Sequence, residues 1–192
     1  MDKPIRTRMN REDRRIQILN SALEVFVEKG YNGTTTQDIA KSANISEVTL
    51  FRYFSSKQEI YMEAIEPIIV NTLKDSIDAS KDLSPKEKLK YIIIERIKLI
   101  SEYHKVVRLV LMENQVNPEL NDLNYIKRIF DLLKSSIDKM GVKFNNKEYT
   151  LRVLMGSLLS FLYLPESNES YIEEFVNNIV DNIEIKGVYN DK

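Results

Sequence analysis

The sequence predicts an all-α protein of about nine helices, with an N-terminal three-helix unit and a larger helical unit after it. Three observations lead there. Only 5 glycines and 5 prolines occur in 192 residues, too few for the many turns that short strands need. Apolar residues recur at three- and four-residue spacings along most of the chain, the period of a helix with one buried face. Several of these runs begin with Ser, Thr or Asn three residues ahead of an acidic residue. In that arrangement two side chains satisfy the free N–H groups of a first turn.

Each element follows from those signs. Arg11 to Lys29 sets Ile16, Leu19, Leu23 and Phe26 on one face, and Gly30 supplies the stop. Thr35-Thr36-Gln37-Asp38 is a capping box opening a short helix to about Ala43, and Ser46 caps the next, from Glu47 to about Phe54. Val48 to Phe54 is rich in strand formers, but its apolar residues do not alternate and no partner strand lies nearby, so helix is the reading. Ser56-Lys57-Gln58-Glu59 is a further capping box, opening a helix to about Ser80 that Pro67 interrupts with a kink. Ser84-Pro85-Lys86-Glu87 starts an Ile-rich helix that ends near Tyr103 or resumes through Met112 after a break. Asn117-Pro118 precedes a helix from about Glu119 to Met140, stopped by Gly141. Asn145-Asn146-Lys147-Glu148 opens the next, to Leu164, and Ser170-Tyr171-Ile172-Glu173 opens the last, ended by Gly187. The organisation expected is a basic arm over 1–10, a helix-turn-helix unit over 11–57 and a helical unit over 58–192.

Composition narrows the function. The apolar fraction of 43% and charged fraction of 30% are those of a soluble globular protein. Cysteine is absent, which removes disulfides, thiolate metal sites and Cys nucleophiles. The N-terminal stretch has no apolar core of a secretory signal, and the most apolar run, Leu151 to Leu164, is shorter than the roughly 20 residues of a membrane span. A cytoplasmic protein is expected. Residues 1–57 hold ten Lys/Arg against seven Asp/Glu, a net +3 that suits a polyanionic partner, while the remainder carries −4.

The stretch Ala43 to Lys57, ANISEVTLFRYFSSK, is where this charge meets a geometry. At 100° per residue from Glu47, Leu50 and Phe54 share the inward face and Phe51 flanks it. Val48, Thr49, Arg52 and Tyr53 occupy the outward arc. Ala40 is small where a second helix must cross, Asn44 tolerates the positive φ of a turn, and Ile45 fills the angle between helices. Two short helices joined by such a turn make a helix-turn-helix, which presents its second helix to a DNA major groove. An ordinary αα-corner in a bundle fits the same spacing. The third helix before the pair and the basic stretch Arg6, Arg8, Arg11, Arg14 and Arg15 favour DNA.

The run from Ile16 to Ile60 resembles the N-terminal DNA-binding domain of the TetR family of bacterial transcriptional regulators. The matching marks are AL-x2-F-x3-G-Y from Ala22 to Tyr31, Thr-Thr-x-x-Ile-Ala from Thr35, the Ala-x-Ile-Ser turn from Ala43, Thr-Leu-Phe-x-Tyr-Phe from Thr49, and Ser-Lys-x-Glu-Ile from Ser56. The resemblance implies that Thr36 bonds a phosphate through its hydroxyl or backbone N–H, with Gln37 beside it on the DNA face. It implies that Ser46, Thr49, Tyr53 and Lys57 also hold phosphates, and that Glu47, Val48, Phe51 and Arg52 face base edges. The family usually has Gly where Val48 stands and Tyr where Phe51 stands, so Phe51 lacks the hydroxyl contact and Val48 is left to touch a thymine methyl or to keep the backbone away. The family-type domain boundary extends to about residue 72.

The second half resembles the family in being all-helical. Such proteins enclose a small-molecule effector among the central helices, and the candidates here are Tyr103, His104, Arg108, Met112, Tyr125, Phe130 and Arg152. The run Leu151 to Leu164 is apolar nearly all round and must be covered on more than one side. One subunit could cover it, or a two-fold copy could, as a four-helix bundle. The family's dimers use their last two long helices, so Leu154, Leu158, Phe161, Leu162, Ile172, Phe175, Val176, Ile179, Val180 and Ile183 are expected at a homodimer interface.

An enzyme is not expected. One His and no Cys leave no triad and no zinc set, and the glycines form neither a dinucleotide fingerprint nor a P-loop. No cofactor and no metal are expected; an unknown small-molecule effector is. The reading is a dimeric repressor of a palindromic operator on double-stranded DNA. The alternatives are a DNA-binding activator and a protein–protein module that uses the 43–57 face.

Overall fold

A computed structural model of the chain describes residues 10–117, 120, 125–139, 143–144, 146–182 and 185–186. The arm residues Arg6 and Arg8, the helix signals at Pro118, Glu119, Met140, Gly141, Asn145 and Gly187, and Ile183 lie outside them. The architecture is all-α. The chain divides into two compact units between Glu66 and Pro67.

The first unit holds α1 (Arg11–Gly33), α2 (Thr36–Ser42), α3 (Glu47–Leu50) and α4 (Lys57–Glu66). Gly30 takes φ 73°, which breaks α1 where the sequence places its stop, and a last short turn runs on to Gly33. The buried face of α1 is Ile18, Ala22, Val25 and Phe26. It is rotated from the expected one, so Ile16 is exposed and Leu19 and Leu23 lie at the edge. The reason is the partner: α1 packs on both α4 and α2, and Phe26 meets Tyr31 and Tyr61 edge-on or stacked at 5.1–5.9 Å between ring centroids within that trio. Such ring pairs add to the burial of their area.

The second unit opens with a π-helical segment, Pro67–Asn71, continuous with α5 (Thr72–Ala79). Proline cannot donate the i→i−4 bond, and the expected interruption takes the form of this wider turn. It continues with α6 (Pro85–Glu102), α7 (His104–Val116), α8 (Tyr125–Lys139), α9 (Lys147–Tyr163) and α10 (Glu169–Asp181). The capping box at Ser84 and Glu87 forms with Pro85 in the first turn. α10 is capped by Asn168, not Ser170, because the Asn168 side chain accepts from the Tyr171 N–H. A two-residue antiparallel pair, Lys143–Phe144 with Ile185–Lys186, is the departure from helix among the described residues.

The core of this unit is built on α6. Leu89, Ile93 and Ile97 pack with Ile137 of α8, with Leu151, Leu154, Leu158 and Phe161 of α9, and with Ile172, Val176 and Val180 of α10. The stripe expected at a homodimer interface is therefore interior to one subunit. Leu154, Leu158, Phe161, Leu162, Ile172, Val176 and Val180 are buried, and Phe175 and Ile179 pack at the rim. An all-apolar α9 needs cover on more than one side, and α6, α7 and α10 supply much of it.

Candidate nucleic-acid interface

The α2–turn–α3 segment is closed by its own backbone. Ile45 N–H bonds Ala40 O at 3.0 Å and Asn44 N–H bonds Lys41 O at 3.1 Å, with Asn44 at φ 53°. This is the Schellman arrangement, which lets a helix stop and reverse within three residues. Thr35 and Asp38 cap α2 reciprocally. The Lys29 ammonium, 2.7 Å from Asp38 Oδ1, holds that carboxyl well below its ordinary range, with the Thr35 hydroxyl and N–H adding to it. Ser46 caps α3 by accepting from Thr49 N–H at 3.1 Å and meets the Thr49 hydroxyl at 2.8 Å.

α3 is one turn long, shorter than the expected helix to Phe54, and Phe51 is already its C-cap. Turns through Tyr53 nonetheless keep the expected sidedness. Leu50 and Phe54 are essentially inaccessible, whereas Val48 is 69% and Phe51 50% exposed. Gln37, Glu47 and Arg52 are exposed too, and Thr36, Thr49 and Tyr53 are half-buried. One open face thus gathers a guanidinium, a carboxylate, an amide, hydroxyls and two unsheltered apolar side chains. The Thr36 hydroxyl donates to Glu47 Oε1 at 2.5 Å, tying the start of α2 to the start of α3. That proton is engaged, so the backbone N–H is the donor Thr36 has left to offer.

Two basic residues have work inside the unit. Arg15 grips the Glu63 carboxylate through Nε at 3.0 Å and through Nη2, donates Nη1 to Tyr53 O at 2.6 Å, and stacks its guanidinium 4.3 Å from the Phe54 ring centre. It anchors the end of the α3 segment and is not a free phosphate contact. Lys57 donates its ammonium to Tyr31 O at 2.9 Å and Thr34 O at 3.0 Å, above the Tyr31 ring. Two of its three protons hold the α1–α2 connection. The capping box expected at Ser56 is half formed: Ser56 Oγ accepts from Glu59 N–H, while the Glu59 carboxylate turns to the Ser55 N–H and hydroxyl, which lower its pKa.

The second unit contains a small cavity of about 20 Å³ with a wholly apolar accessible surface, among Leu89, Ile92, Ile93, Arg96, Leu133, Ser136, Ile137, Leu151, Leu154, Met155 and Leu158. None of Tyr103, His104, Arg108, Met112, Tyr125, Phe130 or Arg152 lines it. Met112, Arg108, Phe130 and Arg152 are exposed, and Tyr125 is buried. His104 Nδ1 sits 3.1 Å from Ser101 O at the start of α7, and Arg152 pairs with Glu148 one turn away. Arg96 was legible as a charge in the middle of the Ile92, Ile93, Ile97 stripe; Ser136 left no such signal. Among the described residues no cluster of His, Asp and Glu is arranged to hold a metal, and no helix is long and apolar enough to cross a membrane.

Residues 18–64 match the family described as bacterial regulatory proteins, tetR family. Over 50 residues the chain is 46% identical to the biofilm operon icaADBC HTH-type negative transcriptional regulator IcaR of Staphylococcus aureus (strain Newman), and 44% identical to IcaR of Staphylococcus epidermidis. That segment is 26% of this chain and 27% of each relative, so the chain is matched over about a quarter of the length of these curated relatives. Solved structures are similar over far more. A Clostridium perfringens protein provisionally named a fatty acid metabolism regulator is 29% identical, with 88% of this chain and 100% of that one covered and a TM-score of 0.67. FadR of Bacillus subtilis, solved with stearoyl-CoA, is 21% identical, covered over 86% and 95%, with a TM-score of 0.66. KstR2 of Mycobacterium tuberculosis, a ketosteroid transcriptional regulator, is 20% identical, covered over 94% and 98%, with a TM-score of 0.67. Residues 18–64 thus form a domain of the tetR family of bacterial regulatory proteins, and most of the chain shares the fold of these solved regulators.

Proposed function

We propose that this protein is a cytoplasmic, dimeric repressor that binds a palindromic DNA operator through α2 and α3 and is released by a small-molecule effector held in the helical unit. The observation that carries the reading is the exposed face of α3. Val48 and Phe51 have no folding reason to stand in solvent beside Arg52, Glu47 and Gln37, but a major groove offers thymine methyls, guanine acceptors and cytosine amino groups to that set. Ser46, Thr49, Tyr53, the Thr36 N–H and the remaining Lys57 proton position the helix on phosphates, and Glu47, Val48, Phe51 and Arg52 read bases. The negative regulators that match the N-terminal segment support repression.

The dimer surface is the outer side of the helices whose inner sides form the core. Tyr149, Arg152, Gly156, Leu159 and Tyr163 are exposed at spacings of three and four along α9, and a Cβ built on Gly156 meets nothing within 4 Å. An exposed mid-helix glycine costs about 1 kcal/mol relative to alanine, and close approach of a second copy accounts for it. Selection of random duplex DNA on the purified protein tests the proposal. A recovered palindrome with half-site centres about one helical turn apart supports it. Absence of binding even at low salt would make the α3 face a protein-contact surface.

A further inference from the structure

Several lysines of the second unit already hold a carboxylate. Lys86 and Lys90 of α6 share Asp181 at 3.0 and 2.8 Å, Lys98 meets Glu169 at 2.8 Å, and Lys147 pairs with Asp138. Lys74 of α5, Lys88 of α6 and Lys139 of α8 differ. Among the described residues no carboxylate oxygen lies within 4.0 Å of their ammonium groups, and none of the three donates a side-chain hydrogen bond. All three line one open groove of about 210 Å³ between these helices. The carboxylates next to them in sequence are committed elsewhere: Glu87 accepts from the Ser84 N–H and hydroxyl, and Asp138 holds Lys147. Asp78 is the one carboxylate in the lining, so the groove sets three cations against a single anion. Cations gathered from three helices without matching counter-ions repel one another, and an anion seated among them removes that repulsion.

We infer that this groove binds a phosphate dianion, free or as the monoester of a small molecule. Two negative charges balance the groove's excess of two. Lysine binds phosphate as a point charge with rotatable donors, so three of them converge on a tetrahedral ion without a fixed fork geometry. Ser135, exposed in the same lining, adds a neutral hydroxyl donor. The volume admits the ion together with several waters. Ile77 and Leu132 form the apolar part of the lining and give the carbon side of an ester something to rest on. The site binds its anion whether or not the α3 face reads DNA.

The test follows the melting midpoint of the full-length protein at pH 8 and fixed ionic strength as inorganic phosphate, methyl phosphate or nitrate replaces chloride. A ligand that binds the folded state raises the midpoint along a saturating curve, whereas the general stabilising action of phosphate as an excluded salt does not saturate. Saturable binding of a phosphate is expected in the millimolar range or below, at least tenfold tighter than nitrate. Lys88→Gln is expected to weaken it three- to tenfold, and Lys74→Gln with Lys139→Gln at least tenfold. Lys105→Gln on α7 makes the same change in net charge outside the groove and is expected to leave it within twofold. Methyl phosphate binding as well as inorganic phosphate assigns an ester ligand; methyl phosphate tenfold weaker assigns the free ion. A midpoint that climbs without saturation, a phosphate affinity no better than that of nitrate, or equal losses in Lys88→Gln and Lys105→Gln would overturn the site. Wild type alone decides the first two, should a groove variant fold poorly.

Discussion

Replacing Lys57 with Met separates two roles that the sequence runs together. The side chain's stem survives the change; its ammonium does not. Lost with it are the hydrogen bonds to Tyr31 O and Thr34 O and the charge above the Tyr31 ring. Hydrogen bonds to a charged group contribute roughly 1.5–3 kcal/mol each when buried, and an exposed cation–π contact about 0.5–1 kcal/mol. Lys57 is half-buried, so water replaces part of each. Tyr31 O also keeps the Thr34 N–H at 3.3 Å. The expected loss is about 2 kcal/mol, which for a chain of this size lowers the melting midpoint by roughly 4–8 °C. Circular dichroism melts measure it, and hydrogen exchange should rise first at the amides of the α2 start. A midpoint unchanged within about 1 °C would refute the assignment of Lys57 as the tie between α4 and the α1–α2 connection. DNA binding then reports the third proton. If it holds a phosphate, the slope of log affinity against log salt falls in magnitude by about 0.9, equally for every sequence; if its role is wholly structural, affinity at low temperature is unchanged.

Three further outcomes are expected. Arg52→Ala should relax base preference at one position per half-site by about 1–3 kcal/mol, seen by repeating the duplex selection, with the other positions unchanged. Gly156→Leu should shift the protein to monomer in sedimentation without lowering its melting midpoint, whereas a dimer that persists would place the interface off the outer face of α9. Asp38 and Glu59 both have pKa values below their ordinary 3.8 and 4.5. The unfolded chain therefore binds protons first, so their stabilisation is complete above about pH 5 and is lost as pH falls through 4 and below. Glu59→Gln should flatten acid unfolding in that range, and an unaltered acid profile would count against the Ser55 bonds as its source.

What the sequence determined by itself is local. Caps at Thr35, Ser46 and Ser84, the glycine stop at Gly30 and the Asn44 turn each depend on a few neighbouring residues, so their chemistry could be read from spacing. The sidedness of α3 was legible for the same reason, since Leu50 and Phe54 are four residues apart on any helix. Tertiary structure decided what those faces meet. The α9 and α10 stripes look alike whether a copy or α6 covers them, because burial leaves the same apolar signature in either case. A basic residue reads as a free charge until a distant carboxylate or carbonyl claims it, as Glu63 does Arg15 across 48 positions and Thr34 does Lys57 across 23. The two buried polar atoms left without a partner, Arg96 Nε and Ser136 Oγ, belong to this second kind: their residues are 40 apart in the sequence, and only tertiary packing buries both.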